Sequence, residues 1–285
     1  MLRYPGGKTR AIDDLLSILN DEKVNVKDQI IYSPFYGGGS FEKYLHDKYN
    51  CTIIANDLFT PLYLFWKNLK EKKIELKTAV QNLHPINKQQ FKDLQTNLQT
   101  NLQNNLQTDI QNNLQTDIQN NTSDADIKIA ASYFALNRSS FSGTTMSGGF
   151  SKQAADKRFT QSSINRLLHY NMDRITISNQ DFELFIQQKR KNNEGILFLD
   201  PPYHIKSKLY GNKGDLHENF DHERLANILR LQNNWILTYN HDNYIKKLYK
   251  KIKGVVFYDV YWSYGMNNSK KSNEIVILRF AKENP

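Results

Sequence analysis

The chain has 285 residues, of which 38 are Lys or Arg and 29 are Asp or Glu, so its formal net charge is +9. This length suits one large α/β domain, or one domain that carries a sizeable insertion. An apolar content of 39% excludes a disordered tail, and no apolar run reaches the roughly twenty residues that span a bilayer. The single cysteine excludes an internal disulfide and a multi-cysteine zinc site. The N-terminus lacks the apolar stretch of a secretory signal, so we expect a cytoplasmic protein with a polyanionic partner.

Strand and helix signals alternate along the chain. Short apolar runs that end in polar turns predict strands at 28–33, 51–55, 174–178, 195–199 and 234–239. Helical patterns lie between them, for example at 61–69 and 222–231. This alternation predicts an α/β fold with a mainly parallel sheet and helices on both faces. The last two apolar runs, 255–261 and 274–280, are joined by a loop with no room for a helix, so they should pair antiparallel.

An Asn/Gln-rich repeat of four residues occupies positions 94–121, with Leu or Ile at the same place in each copy. On a straight helix this apolar stripe advances by about 40° per copy, so a long helix with a winding seam fits the pattern. An unstructured, functionally silent expansion fits it equally well. If the repeat is silent, deletion of residues 94–120 should spare activity.

The most specific motif is Asp200-Pro201-Pro202-Tyr203, which directly follows the predicted strand 195–199. The simplest structural explanation is a stiff surface turn, because proline fixes the backbone and cannot continue a strand. At the carboxyl end of a parallel strand, however, the motif would lie in the crevice where such sheets bind ligands. There the Asp200 carboxylate and the Pro201 carbonyl could accept hydrogen bonds from an exocyclic amino group. The Tyr203 ring would offer a face for a planar base, so the motif predicts a catalytic site.

A glycine-rich turn and a following acid predict a nucleoside-cofactor site. The segment 35–40 (FYGGGS) follows the first strand, and its glycines would let the backbone approach a ligand closely, with Ser40 as the candidate cap of the next helix. Asp57 ends the second strand about twenty residues later, where an acid meets ribose hydroxyls in nucleoside-binding sheets. The Gly-Gly-Gly-Ser spacing lacks the pyrophosphate-binding fingerprint, which disfavours a nicotinamide dinucleotide.

With the glycine-rich turn before the repeat and the Asp-Pro-Pro-Tyr motif after it, the chain resembles the Dam-type (α-class) DNA adenine N(6)-methyltransferases, and the resemblance covers nearly everything except the repeat. It implies a Rossmann-like S-adenosylmethionine-binding catalytic domain formed by 1–67 and 172–285. It also implies an inserted helical target-recognition subdomain, 68–171, which contains the repeat. The expected reaction moves a methyl group from S-adenosylmethionine to N(6) of an adenine flipped out of double-stranded DNA, as in type II restriction-modification or viral enzymes.

The resemblance also assigns roles to individual residues. The catalytic residues would be Asp200, Pro201, Pro202 and Tyr203. The cofactor-binding residues would be Tyr4, Gly7, Lys8, Phe35, Gly37, Gly38, Gly39, Ser40, Asp57, Asp181 and Phe182. The DNA-binding residues would be Asn137, Arg138, Phe141, Lys152, Arg158, Lys270 and Lys271. No metal is implied.

The surplus of positive charge should concentrate where DNA runs, so that binding weakens steeply with salt. The residues expected there are Lys8, Arg138, Lys152, Lys157, Arg158, Lys206, Lys208, Lys270 and Lys271. The expected partner is double-stranded DNA rather than a membrane. A cognate restriction endonuclease that acts on the same site is a possible second partner, and the chain itself would be a monomer or a homodimer.

Other functions stay open at this point. Cytosine amino-group methylation uses the same chemistry, although Ser often replaces the aspartate there. A cytosine-ring methyltransferase is excluded, because Cys51 follows Asn50 and such enzymes need a cysteine preceded by proline. From a different class, a catalytically silent DNA-binding module could retain the methyltransferase fold.

Overall fold

The structure is a computed structural model that describes residues 1–3, 6–111, 122–192, 194–204, 220–261 and 273–281. The chain divides into two compact units. The first, called the sheet unit here, comprises residues 6–58 and the described residues from 173 to 281. The second, called the helical unit, comprises residues 1–3 and the described residues from 59 to 172.

The sheet unit is built on seven strands. They are β1 (Ile30–Ser33), β2 (Thr52–Asn56), β3 (Ile175–Ser178), β4 (Ile196–Leu199), β5 (Trp235–Asn240), β6 (Val256–Val260) and β7 (Glu274–Arg279). Their order in the sheet is β3-β2-β1-β4-β5-β7-β6. The first five strands pair in parallel, whereas β7 pairs antiparallel with both β5 and β6. The predicted strands and the antiparallel end of the sheet are confirmed.

The described part of the chain also contains eleven α-helices. They are α1 (Ile12–Asp21), α2 (Ser40–Tyr49), α3 (Thr60–Glu71), α4 (Lys73–Asn82), α5 (Lys88–Gln111), α6 (Thr122–Ser139), α7 (Lys152–Arg158), α8 (Gln161–His169), α9 (Phe182–Asn192), α10 (His222–Arg230) and α11 (Asn243–Lys250). The sheet unit holds α1, α2 and α9 to α11, and the helical unit holds the rest. Among the described residues, no helix combines the length and the apolar character needed to cross a membrane.

Continuous burial of the central strands explains the α/β architecture. All four residues of β4 are buried, as are the first five of β5. Strands that are apolar on both faces need helices on both sides of the sheet, and parallel pairing needs helical crossovers between them. The core of the sheet unit accordingly joins β4 and β5 to side chains of α9, α10 and α11.

The turn between β1 and α2 depends on Gly39. This residue caps α2 with a φ of 60°, which is the left-handed region that favours glycine. A Cβ atom at Gly39 would overlap the Tyr36 ring, so a larger residue does not fit this turn. The prediction that Ser40 caps the helix is wrong, because Ser40 is the first residue within α2.

The helical unit is held by aromatic packing between α3 and α6. The Phe65 and Phe134 rings stack at 5.6 Å with an interplanar angle of 11°, and Trp66 is fully buried beside them. Helix α5 runs from Lys88 to Gln111 and so includes the first copies of the four-residue repeat. The helical interpretation is therefore confirmed for residues 94–111, and the rest of the repeat to residue 121 lies outside the described residues.

Candidate active site

The candidate active site lies at the carboxyl ends of β1 and β4, which are parallel neighbours in the sheet. From β1 the chain moves outward through β2 and β3 on one side, and from β4 through β5 on the other. Open α/β sheets bind ligands at such a topological switch point. The glycine turn follows β1 and Asp200 follows β4, so both predicted motifs lie at this edge of the sheet.

The Asp200 carboxylate is the centre of a hydrogen-bond network. Lys8 Nζ donates to both carboxylate oxygens at 2.7 Å, and Thr238 Oγ1 donates to Oδ1 at 2.6 Å. Lys8 is only 3% exposed, so its charge offsets that of Asp200 inside the protein. A carboxylate has about four acceptor positions, and these bonds use three of them.

The phenol of Tyr203 belongs to the same network. Its Oη accepts a hydrogen bond from Lys8 Nζ at 2.9 Å and donates to Glu274 Oε2 at 2.6 Å. The Lys8 ammonium also lies 5.2 Å from the centre of the Tyr203 ring, and the Tyr239 ring lies at 5.9 Å. Contacts from three distant segments therefore fix the orientation of the ring.

Sequence reasoning missed Thr238 and Glu274, although both bond to catalytic-motif residues. Thr238 is buried within β5, and Glu274 is the first residue of β7 and 2% exposed. For Thr238 the available signal was a polar residue inside an otherwise apolar run, which indicates a buried hydrogen bond, whereas Glu274 stands at the start of its strand.

The glycine turn is tied to the ends of β2 and β3. The Gly37 amide donates to Asp57 Oδ2 at 2.9 Å. The Asn56 side chain donates to the carbonyls of Pro34 at 3.2 Å and Gln180 at 2.9 Å. Three consecutive strand ends are thereby linked, and the turn presents the Asp57 carboxylate beside the glycine backbone.

An aromatic cluster lies next to this turn. Phe35, Phe182 and Phe220 contact one another with ring centres 5.3–5.6 Å apart. The Arg224 guanidinium lies 4.3 Å from the centre of the Phe182 ring and pairs with Asp181 at 2.6 Å. The sequence had identified Phe35, Asp181 and Phe182, whereas Phe220 and Arg224 emerge from the structure.

Glu42 is a buried carboxyl group close to the network. It accepts a hydrogen bond from Ser33 Oγ at 2.6 Å. Burial raises the pKa of Glu42 to about 7, and the charge of Asp200 adds to this rise, whereas the Ser33 hydrogen bond and the charge of Lys8 oppose it. Glu42 is therefore a titratable group whose charge responds near neutral pH.

Asn137 and Arg138 lie inside the helical unit, where they bind the N-terminal segment. Asn137 bonds to both the amide and the carbonyl of Arg3, at 2.8 and 2.7 Å. Arg138 donates twice to the Arg158 carbonyl, at 2.8 and 2.6 Å, and once to the Met1 carbonyl at 3.1 Å. Burial, assisted by neighbouring arginines, lowers the pKa of Arg138 to about 10.

The basic residues expected along the DNA differ in their exposure. Lys8 and Arg138 are only 3% and 7% exposed, and both donate hydrogen bonds to internal acceptors, so their predicted DNA contact stays a prediction. Lys152, Lys157 and Arg158 are exposed, although Lys152 pairs with Asp156 at 2.8 Å. Outside the described residues lie Tyr4, Lys206, Lys208, Lys270 and Lys271.

The remaining predicted residues occupy turns. Gly7 directly precedes a short 3₁₀ turn, Lys8–Arg10, which delivers the Lys8 ammonium to Asp200. Phe141 begins a second 3₁₀ turn, Phe141–Gly143, in the helical unit and is 64% exposed.

The sheet order with β7 inserted antiparallel, together with the motifs at its switch point, defines a Rossmann-like methyltransferase fold. The model of the D12 class N6 adenine-specific DNA methyltransferase family matches residues 4–266, and the chain belongs to this family. It is therefore an adenine-specific DNA methyltransferase, which confirms the resemblance to the Dam-type enzymes. No curated protein matches the chain.

Proposed function

We propose that this methyltransferase uses S-adenosylmethionine to methylate N(6) of an adenine that is flipped out of double-stranded DNA. In this proposal the sheet unit is the catalytic domain and the helical unit is the target-recognition subdomain. The observation that carries the proposal is the Lys8–Asp200–Tyr203 network at the switch point of the sheet. It combines a carboxylate acceptor with an oriented aromatic ring, which is what recognition of an exocyclic amino group on a planar base requires.

The residues around the glycine turn fit an adenosine-containing cofactor. The Asp57 carboxylate can accept hydrogen bonds from ribose hydroxyls, and Phe35 and Phe182 offer apolar faces for the adenine. Asp181, held by Arg224, can accept a hydrogen bond from the adenine amino group. When bound, S-adenosylmethionine supplies an electrophilic methyl group. We retain Tyr4, Gly7, Gly38, Gly39 and Ser40 as further cofactor contacts in this proposal.

The catalytic residues position the target amino group and polarise it. Lys8 and Thr238 use three of about four acceptor positions on Asp200, so one remains for an amino hydrogen of adenine. A second hydrogen can bond to the Pro201 carbonyl. These two acceptors draw the nitrogen towards a tetrahedral shape and direct its lone pair at the methyl group, while Tyr203 stacks on the base. As the N–C bond forms, the methyl group would leave the cofactor sulfur, so that S-adenosylhomocysteine is the second product, and the nitrogen would release one proton. Positioning and electrostatics lower the barrier without a covalent intermediate.

In the helical unit, we propose that exposed side chains contact the DNA. A base that leaves the duplex leaves a gap, which an inserted apolar side chain can fill. Phe141 has the exposure and size for this role. Lys152, Lys157 and Arg158 would contact phosphates. The buried Asn137 and Arg138 would contribute to DNA binding indirectly, because they hold the N-terminal segment, residues 1–3, by hydrogen bonds.

The proposed reaction is tested with Asp200→Ala and tritium-labelled S-adenosylmethionine, on genomic DNA from a host without adenine methylation. We expect no transfer of label by the variant and nearly unchanged cofactor binding, because the carboxylate serves the target base. Asp259→Ala is the matched control, since Asp259 is an exposed aspartate that pairs with Lys246. Near wild-type turnover by Asp200→Ala, or label in a nucleoside other than N(6)-methyl-2′-deoxyadenosine, contradicts the proposal.

Base flipping is tested once sequencing of methylated adenines has defined the recognition site. A duplex with 2-aminopurine at the target position should gain fluorescence on binding, and Phe141→Ala should reduce that gain. An unchanged signal on wild-type binding contradicts flipping.

A further inference from the structure

The loop that carries Phe141, residues 140–150, has a backbone conformation that needs stabilising contacts from the rest of the protein. Its ends are joined where the Phe141 amide donates to the Gly149 carbonyl at 3.0 Å and the Ser151 amide donates to the Ser139 carbonyl at 2.9 Å. Within the loop, Ser142 and Thr145 have φ values of 54° and 51°. These left-handed values are uncommon for residues other than glycine, so other parts of the protein must stabilise the loop.

Gln95 supplies such contacts from helix α5. Its Nε2 atom lies 2.8 Å from the Met146 carbonyl oxygen and 3.0 Å from that of Gly148, and the Thr145 carbonyl oxygen lies at 3.4 Å. A side-chain amide nitrogen carries two hydrogens, which match the two shorter contacts. The Gln95 side chain therefore provides hydrogen bonds for two backbone carbonyls in the second half of the loop, after Phe141 in the sequence.

The same face of α5 packs against the loop and the interior. Phe91 and Leu98, which flank Gln95 at helical spacing, are both buried. The Phe91 ring contacts Phe150 at 5.7 Å, where the loop ends. Because Gln95 and Leu98 belong to the first two copies of the four-residue repeat, the start of the repeat is a structural part of the helical unit.

We propose that Gln95 is a positioning residue for DNA recognition, which fixes the loop that presents Phe141. The inference rests on the proposed role of Phe141 in DNA contact. The next glutamine of the repeat lies about 6 Å further along the helix and about 40° around it, so it cannot replace Gln95. The expectation that deletion of residues 94–120 is silent is therefore replaced by one in which loss of Gln95 weakens DNA binding.

The test compares Gln95→Met with Gln89→Met. Methionine keeps the length of glutamine but donates no hydrogen bond. Gln89 is an exposed residue of the same helix that bonds only to Asp93 among the contacts described, so it is the matched control. With unmethylated genomic DNA as the varied substrate, Gln95→Met should raise KM about tenfold and leave kcat nearly unchanged, since two hydrogen bonds are lost. Gln89→Met should change neither.

Hydrogen exchange provides a readout that does not depend on activity. The amides of residues 144–149 should exchange faster in Gln95→Met, with no change in the sheet unit. A wild-type KM for Gln95→Met, or unaltered exchange in the loop, overturns the inference. If the wild-type protein transfers no label from S-adenosylmethionine, the proposed reaction fails instead, and the exchange result alone decides whether Gln95 holds the loop.

Discussion

Lys8 and Asp200 are 192 residues apart in sequence, yet the Lys8 ammonium contacts both oxygens of the Asp200 carboxylate at 2.7 Å. The contact joins the N-terminal Gly-Gly-Lys segment to the Asp-Pro-Pro-Tyr motif. It also places a buried cation next to the group that we propose accepts the target amino hydrogen.

Replacement of this cation defines the first prediction. Lys8→Met should lower kcat by about 100-fold or more, because Asp200 and Tyr203 both lose a charge-assisted hydrogen bond at the reacting site. Single-turnover methyl transfer measures the effect. Lys247→Met, at an exposed position of α11, is the control and should leave the rate unchanged. Equal rates for the two variants would show that Lys8 has no part in the chemical step.

The second prediction concerns the orientation of the Tyr203 ring. Tyr203→Phe keeps the ring but removes its hydrogen bonds to Lys8 and Glu274, so we expect kcat to fall about tenfold with little change in cofactor binding. Tyr258→Phe removes a Tyr–Glu hydrogen bond of the same 2.6 Å length, to Glu22. The measurement is kcat for methyl transfer by both variants. A similar fall in kcat for Tyr258→Phe would count against an orienting role for Tyr203.

The third prediction is a pH dependence of stability caused by Glu42. Because folding raises the pKa of Glu42 from 4.5 to about 7, the folded state holds a proton that the unfolded state releases. The contribution of Glu42 to the free energy of unfolding should therefore decrease by roughly 3 kcal/mol as the pH rises from about 4.5 to about 7. Glu42→Gln cannot titrate, so this decrease should be absent.

Urea denaturation at pH 5 and pH 8 measures the Glu42 effect. Relative to wild type, Glu42→Gln should be more stable at pH 8 than at pH 5. Glu71→Gln, at an exposed position of α3, should show no such difference. A parallel pH dependence in wild type and Glu42→Gln would mean that Glu42 is not the responsible group.

The fourth prediction assigns Arg138 a role in stability. Arg138→Met should destabilise the protein by about 2–4 kcal/mol, because the Arg158 and Met1 carbonyls lose a charged donor. Chemical denaturation measures the change. Arg166→Met removes an exposed arginine of α8 and should change the stability by less than about 0.5 kcal/mol. If Arg138→Met is as stable as wild type but binds DNA weakly, a direct phosphate contact is the better explanation.

Much of the sheet could be predicted because its strands carry unambiguous local signals. The apolar run 196–199 and the Asp-Pro-Pro-Tyr motif that follows it predicted both a strand and the residue at which it ends. Thr238 and Glu274 could not be found in this way, since their function depends on tertiary contacts with residues far along the chain. Local sequence does not encode those contacts.

The surroundings of the expected DNA-binding residues were harder to predict, because residue type does not reveal burial. An Asn-Arg pair suits phosphate contact as well as it suits bonds to backbone carbonyls, and the structure places Asn137 and Arg138 in the second setting. In the repeat, the sequence pattern does not distinguish one glutamine from another. Its uniform composition concealed that one glutamine, Gln95, contacts the loop that carries Phe141.

The position of Gln95 at the start of a tandem array has an evolutionary consequence. Removal of whole four-residue copies from the array shifts the next Leu-Gln pair into the place of Leu94 and Gln95. Replication slippage in such a tract could therefore change the number of copies, while each resulting protein keeps a glutamine in contact with the loop that carries Phe141. Genes of different repeat lengths would then encode enzymes with the same target recognition, and selection would act on the first two copies, which contain Gln95 and the buried Leu98.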